Sequence, residues 1–170
     1  MYTTDSKFIE TVITKVNAVL GSSIIAYEMV GDMPQFTVEK TCIPQLFQLM
    51  HDDKNLNFMF LTDLCGIHYP DSDKPFGVVY HLHNLIKNQR VRVKTFTSGA
   101  IPTVPTATTV YSAANWMERE TFDFYGIHFE GHPNLKRILN VDDMSYHPLR
   151  KEYPLEDATR EDKNDAMFGR

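Results

Sequence analysis

Apolar residues near the start of the chain fall at Phe8, Ile9, Val12, Ile13, Val16, Val19 and Leu20, the spacing of one helix face. Asp5 or Ser6 stands where a capping oxygen is needed, and Gly21 stands where the stripe ends. The pattern then predicts a strand over Ile24–Val30, a turn at Gly31-Asp32 and a hairpin partner over 34–40. Thr41 is placed to cap a second helix with Ile43, Leu46, Phe47 and Met50 on one face. Segment 57–64 is apolar on both alternations, Phe58, Phe60 and Leu64 against Met59 and Leu61, which predicts a central strand covered at least in part on both sides. Strands follow over 76–85 and 90–96; in the latter Arg90, Arg92 and Lys94 take one face and Val91 and Val93 the other. Adjacent, short-looped strands pair antiparallel more readily than parallel. Interspersed with helices, they predict an α+β fold, a mostly antiparallel sheet packed with helices.

The second half changes character. Segment 98–110, with Pro102, Pro105 and several threonines, is a long surface connection of the kind that often carries function. A helix follows over 112–125. From Val141 onward, thirty residues hold eight acids, five bases, two prolines and no periodic apolar stripe, so this tail builds no core of its own and is expected to be extended on a partner. The divisions are a core domain over 1–110, a helix and turn over 111–140, and a partner-binding tail over 141–170.

The helix over 112–125 has the densest chemistry: Glu118, Arg119, Glu120 and Asp123 within six residues, among Phe122, Phe124 and Tyr125. Such charges are costly to bury without fixed partners, and an interface supplies them. On a helical wheel Ala113, Met117, Thr121 and Phe124 form the apolar side, with Ala114, Tyr125 and Trp116 extending it. Glu120 falls inside that arc. The expectation is a buried Glu120 with a positive or hydrogen-bonding partner, Arg137 being the candidate within the chain. A solvated face accounts for Glu118, Arg119 and Asp123, with Arg119 and Asp123 four apart and able to pair. Phe122 lies opposite the apolar arc, which suggests contact with another surface.

Composition removes several classes. The 170 residues carry a net charge of −5, where a dedicated nucleic-acid binder would be basic. No apolar run reaches membrane-spanning length. Residues 1–10 lack an apolar core and carry Asp5 and Glu10, against a signal or transit peptide. Cys42 and Cys65 are too few and too separated for an iron–sulfur cluster and are expected to be reduced thiols.

Two ordered stretches resemble a known family. The first is Ala113-Ala114-Asn115-Trp116, then Glu118-Arg119-Glu120, Asp123, His132, and Lys136-Arg137-Ile138-Leu139; the second is His147-Pro148-Leu149-Arg150-Lys151-Glu152-Tyr153-Pro154. Together they are similar to the signature of the C subunit of NADH:quinone oxidoreductase, respiratory complex I. The resemblance runs from about 109 to 155, with Tyr146 where the family usually has Gly and Glu152 where it usually has Asp. It implies a peripheral-arm subunit that is itself non-catalytic and binds no cofactor, within a complex that holds FMN, iron–sulfur clusters, NADH and quinone. It implies the D and B subunits of that complex as partners, bracing of the D subunit that forms much of the quinone site, and a peripheral position on the cytoplasmic side of a bacterial cell membrane. The residues expected at the partner interface are Glu118, Arg119, Glu120, Phe122, Asp123, His132, Pro133, Arg137, His147, Arg150, Lys151 and Tyr153. Pro148 stiffens the chain before Arg150 and Lys151, which lowers the entropy lost when they dock.

Other chemistry is weaker. A related subunit serves a membrane-bound nickel-iron hydrogenase, which is the alternative parent complex. His81 and His83 share a strand face and, with His68 or Asp63, would make a metal-dependent enzyme, but no third ligand has motif spacing. The Arg90, Arg92 and Lys94 row would suit nucleic acid, though such rows more often guard a strand edge or face solvent. There is no Gly-x-Ser-x-Gly arrangement and no phosphate-binding glycine loop.

Overall fold

The computed structural model describes residues 6–154. Helix α1 (Ser6–Leu20) leads into β1 (Ile24–Val30) and β2 (Met33–Val38), then α2 (Ile43–Asp52), β3 (Phe60–His68), β4 (Phe76–Asn84), β5 (Gln89–Thr97), β6 (Thr103–Pro105), α3 (Ala114–Tyr125) and β7 (His128–Glu130). The fold is α+β. Strands β1 to β5 form one sheet in the order β1-β2-β5-β4-β3, and β6 and β7 form a small second one.

Each hairpin joins runs that the sequence marks. Gly31, at φ +64°, makes the tight β1–β2 turn, and Asn88, at φ +51°, sits in the turn before β5. Pairing is antiparallel for β1–β2, β3–β4 and β4–β5. It is parallel for β2–β5, which are not consecutive, and for β6–β7, which are joined through α3; each pairing needs a crossover connection.

One face of the large sheet is buried under α1 and α2. Val12 and Val16 of α1, and Leu46, Phe47 and Met50 of α2, join Phe36, Val78, Tyr80, Leu82, Val91 and Val93 in a continuous core. Phe47 meets Tyr80 and Tyr111 edge-on, with centroids 4.8 and 5.6 Å away. Strand β5 alternates as expected, its valines inward and Arg90, Arg92 and Lys94 on the half-exposed side.

Segment 57–64 corrects the reading of a central strand. The strand starts only at Phe60, runs to His68 and lies at the sheet edge; Phe60 is 45% exposed. Phe58 is buried, but as part of the loop that precedes the strand, where its carbonyl accepts from the Tyr111 hydroxyl at 2.8 Å. The middle strand of the sheet is β5, and its neighbour β4, between β5 and β3, is covered along most of its length.

The segment after Val141 has neither helix nor strand through Pro154. Residues 147–151 make contacts with this chain's own α3 and β3. Leu149 N–H donates to the Phe124 carbonyl at 3.1 Å, and Lys151 N–H donates to His68 Nδ1 at 3.0 Å. The remainder of the predicted tail, 155–170, lies outside the described residues. Among the described residues, no helix is long and apolar enough to cross a membrane.

Candidate functional site

Helix α3 is set against the edge strand by a missing side chain. A Cβ on Gly66 would lie 2.5 Å from Tyr125 Cδ2 and 3.0 Å from Thr121 Cγ2, so only glycine lets the helix come this close. The helix ends at Gly126, in the left-handed region at φ +71°, whose N–H caps the Phe122 carbonyl at 2.8 Å. The chain then returns through β7 and covers the helix's other side with residues 132–150.

This double cover inverts the wheel. The buried residues of α3 are Ala114, Glu118, Arg119, Thr121 and Asp123, while Trp116 is 63% exposed. Glu120 is exposed rather than buried, and Arg137, its expected partner, goes to Asp123 instead. Glu118, Arg119 and Asp123, which a solvated face would have explained, are the buried charges.

Glu118 and Arg119 are held by backbone and neutral groups, and Asp123 by backbone groups, an amide and one guanidinium. Glu118 accepts from the Thr106 hydroxyl and from the Ala107 N–H, both at 2.6 Å. Burial pushes its pKa up to about 7, against the pull of those two bonds. The fully buried Tyr80 hydroxyl is pushed well up, first by burial and then by the Glu118 carboxylate. Arg119 donates to the carbonyls of Lys136 and Arg137 at 3.1 and 2.9 Å and lies over the Trp116 ring at 5.2 Å.

Asp123 is the most heavily bonded side chain. Oδ1 accepts from Arg137 at 2.7 Å and from Asn140 Nδ2 at 3.1 Å; Oδ2 accepts the N–H groups of Ile138, Leu139 and Asn140 at 3.0, 2.8 and 2.9 Å. Burial alone would raise its pKa. The bonds from Asn140, Leu139, Arg137 and Ile138 outweigh it and hold the carboxyl well below its ordinary range. Arg137 in turn donates to the carbonyls of Met144 and Tyr146 at 2.6 and 2.8 Å, so one ion pair ties helix, turn and C-terminal segment together.

The remaining predicted interface residues divide. His132 donates from Nε2 to the Asn115 carbonyl and accepts the Asn134 N–H at Nδ1, both at 3.0 Å. His147 donates from Nδ1 to the Asp123 carbonyl at 2.9 Å. Burial lowers the His147 pKa; the Asp123 carbonyl opposes this, and Arg150 and Arg137 add to it. Phe122 is half-buried between His128 and His147, with ring centroids 6.4 and 5.9 Å away, so its contacts are within the chain. Arg150 bonds the Tyr125 carbonyl at 2.7 Å and lies over the Phe76 ring at 4.8 Å. Pro133, Lys151 and Tyr153 are exposed.

Sequence reasoning misses Glu118 as a buried carboxylate, Thr106 as its hydroxyl donor, Asn140 as a donor to Asp123, and Gly66 as the room for Tyr125 and Thr121. A glycine inside a strand pattern is the available signal for the last. Histidines 81 and 83 do not build a metal centre. His81 accepts from Arg92 at 2.9 Å, and among the described residues no group of three or more His, Cys, Asp or Glu is arranged to hold a metal ion. Cys42 is buried, Cys65 is exposed, and both are free thiols.

Residues 36–159 match the family model described as respiratory-chain NADH dehydrogenase, 30 Kd subunit. The C subunit of NADH-quinone oxidoreductase from Methylobacterium sp. (strain 4-46) is 44% identical over 136 residues, covering 80% of this chain and 63% of that protein. The protein of the same name from Citrifermentans bemidjiense is 43% identical over 125 residues, covering 74% and 76%. The chain thus spans a little under two thirds of the length of the first of these relatives. Among solved structures, the trypsin-resistant fragment of Nqo5 superposes with a TM-score of 0.62 at 30% identity, over 75% of this chain and 99% of that one. A chain of the membrane-bound sulfane sulfur reductase, an archaeal respiratory membrane complex, superposes with a TM-score of 0.74 at 23% identity, over 88% and 87%, a likeness of fold.

Proposed function

The chain belongs to the family of the 30 kDa subunit of respiratory-chain NADH dehydrogenase, and on that premise we propose that it is a non-catalytic structural subunit of an NADH:quinone oxidoreductase. The observation that carries this reading is the inward direction of the signature charges. Glu118, Arg119 and Asp123 are buried, and their partners are a hydroxyl, main-chain groups and one guanidinium of the same chain. Charges spent this way shape a surface; they do not meet a substrate. Between exposed charges such as Glu120, Asp142, Asp143, Lys151 and Glu152, α3 and the chain after it turn several apolar and aromatic side chains outward: Trp116, Leu139, Val141, Tyr146, Leu149 and Tyr153. Exposed aromatics of this kind suit the centre of a protein–protein contact.

In this reading the chain braces the D subunit near the quinone site and adjoins the B subunit, in the peripheral arm on the cytoplasmic side of the membrane. NADH, FMN, the iron–sulfur clusters and quinone belong to other members of the complex. A tagged full chain recovered from native membranes tests this by peptide identification and metal analysis. Copurification with the D and B subunits, at stoichiometry and without metal in this chain once separated, is expected. Recovery as a lone protein with one bound metal and an activity of its own would overturn the proposal, as would recovery with hydrogenase subunits.

A further inference from the structure

A partly open cleft of about 220 Å³ lies between the edge strand β3 and helix α3. Asp63 and Cys65 line one wall, Glu120 and Phe124 the other, with Leu149 beside them. The volume is below the roughly 300–1,000 Å³ of pockets that bind small molecules. It suits a single long side chain.

The cleft combines an apolar surface with two carboxylates. Gly66, lacking a Cβ, lets the Tyr125 ring settle on the strand and form part of the lining. Asp63 and Glu120 both act on the same thiol. The pKa of Cys65 is pushed up by burial and then by Asp63; Arg92 opposes, and Glu120 adds to the rise. Among the described residues no Lys or Arg lines this space. The guanidiniums of the neighbouring segments are committed elsewhere: Arg119 to the 136 and 137 carbonyls, Arg137 to Asp123, and Arg150 to the Tyr125 carbonyl and the Phe76 ring. His81 lies 3.5 Å from Asp63, but its Nε2 accepts from Arg92, and burial followed by that guanidinium lowers its pKa.

Two carboxylates over an apolar surface, with no cation among the lining side chains, complement a long aliphatic stem that ends in a positive charge. The surroundings suit a chain segment that carries one. Strand β3 is a sheet edge, along which an extended peptide can lie. Trp116, 63% exposed, stands one turn before Glu120 on the same helix face, and Phe60 is exposed at the start of β3.

We infer that this cleft seats a Lys or Arg side chain presented by an extended segment of a neighbouring subunit, with its charge between Asp63 and Glu120. The inference rests on reading the chain as part of a larger assembly.

The test uses the full chain with Cys42→Ser, so that Cys65 is the single thiol, produced alone and also recovered within the native assembly. Maleimide labelling of Cys65 is expected to slow more than roughly tenfold on assembly, because interface cores exclude water. A benzophenone attached at Cys65 is expected to crosslink to a neighbouring subunit at a peptide containing Lys or Arg. Glu120→Lys is expected to lower assembled content roughly tenfold or more through like-charge juxtaposition, with the isolated chain melting as before and Glu120→Gln falling between. If no assembly is recovered even with the Cys42→Ser chain, the reading of the chain as a subunit fails. If assembly is normal but Cys65 labels at the isolated rate, or the crosslinked peptide has no cation, or Glu120→Lys assembles fully, this inference alone is overturned.

Discussion

Asp123 and Arg137 meet at 2.7 Å across fourteen residues of sequence, and the same guanidinium reaches the Met144 and Tyr146 carbonyls. The pair is the clamp that converts a charged helix and an aperiodic tail into one body. Removing one member of a buried pair strands the other, at a cost of about 3–5 kcal/mol. Asp123→Ala is therefore expected to lose about that much stability in urea denaturation of the full chain.

The same clamp gives a pH signature. The folded carboxyl of Asp123 is held below its ordinary range, whereas the unfolded chain titrates at about 3.9. Its stabilising contribution is complete above that unfolded value and is lost as pH falls below it. Asp123→Asn is expected to flatten the acid limb of stability measured by urea titration between pH 6 and 3.

Glu118 acts in the opposite sense. Its folded pKa of about 7 exceeds the unfolded carboxylate value, so the fold binds a proton that the unfolded chain releases. That contribution is full below the ordinary carboxylate range and is lost as pH rises through 7, a change of about 3 kcal/mol. Glu118→Gln keeps both bonds if its amide donates to Thr106 and its carbonyl accepts from Ala107. The variant is expected to match the parent near pH 5, exceed it at pH 8, and lack the decline between them that Glu118 contributes, as read by urea midpoints at each pH.

Gly126 is the narrowest point of the C-terminal packing. A Cβ there would collide with Arg150 Nη2 and stand 2.5 Å from His147 Cδ2, on backbone already at positive φ. Gly126→Ala is expected to cost at least about 1–2 kcal/mol for the left-handed conformation alone, and to expel the 147–150 segment. Limited trypsinolysis checks this: cleavage after Arg150 and Lys151 accelerates while α3 retains its amide protection.

Regular elements were legible where one face meets the core. The stripes of α1 and α2 and the alternation of β5 map directly onto buried and exposed faces, and the antiparallel pairs follow from short loops. Strands β6 and β7 are three residues each and pair in parallel across a helix, too short for any period to register. The wheel of α3 misled for a physical reason. Hydrophobicity ranks Glu118, Arg119 and Asp123 as outward residues, yet most of their partners are main-chain N–H and C=O groups, joined by a hydroxyl and, at Asp123, by Arg137 and Asn140, and no helix periodicity reveals these. The two motifs, far apart in sequence, meet around Asp123, Arg137 and His147. That they serve the chain's own fold, with Arg150 packed on Phe76, became visible only in three dimensions.

The central claim is that the signature charges build a scaffold and carry no turnover. Membranes bearing Asp123→Asn or Glu118→Gln in place of the parent chain allow one decisive comparison. Assembled complex is quantified by native gel, and quinone-linked NADH oxidation is measured in the same membranes. The account predicts that activity falls only in proportion to complex content, leaving activity per assembled complex unchanged. Full assembly with little oxidation would contradict it.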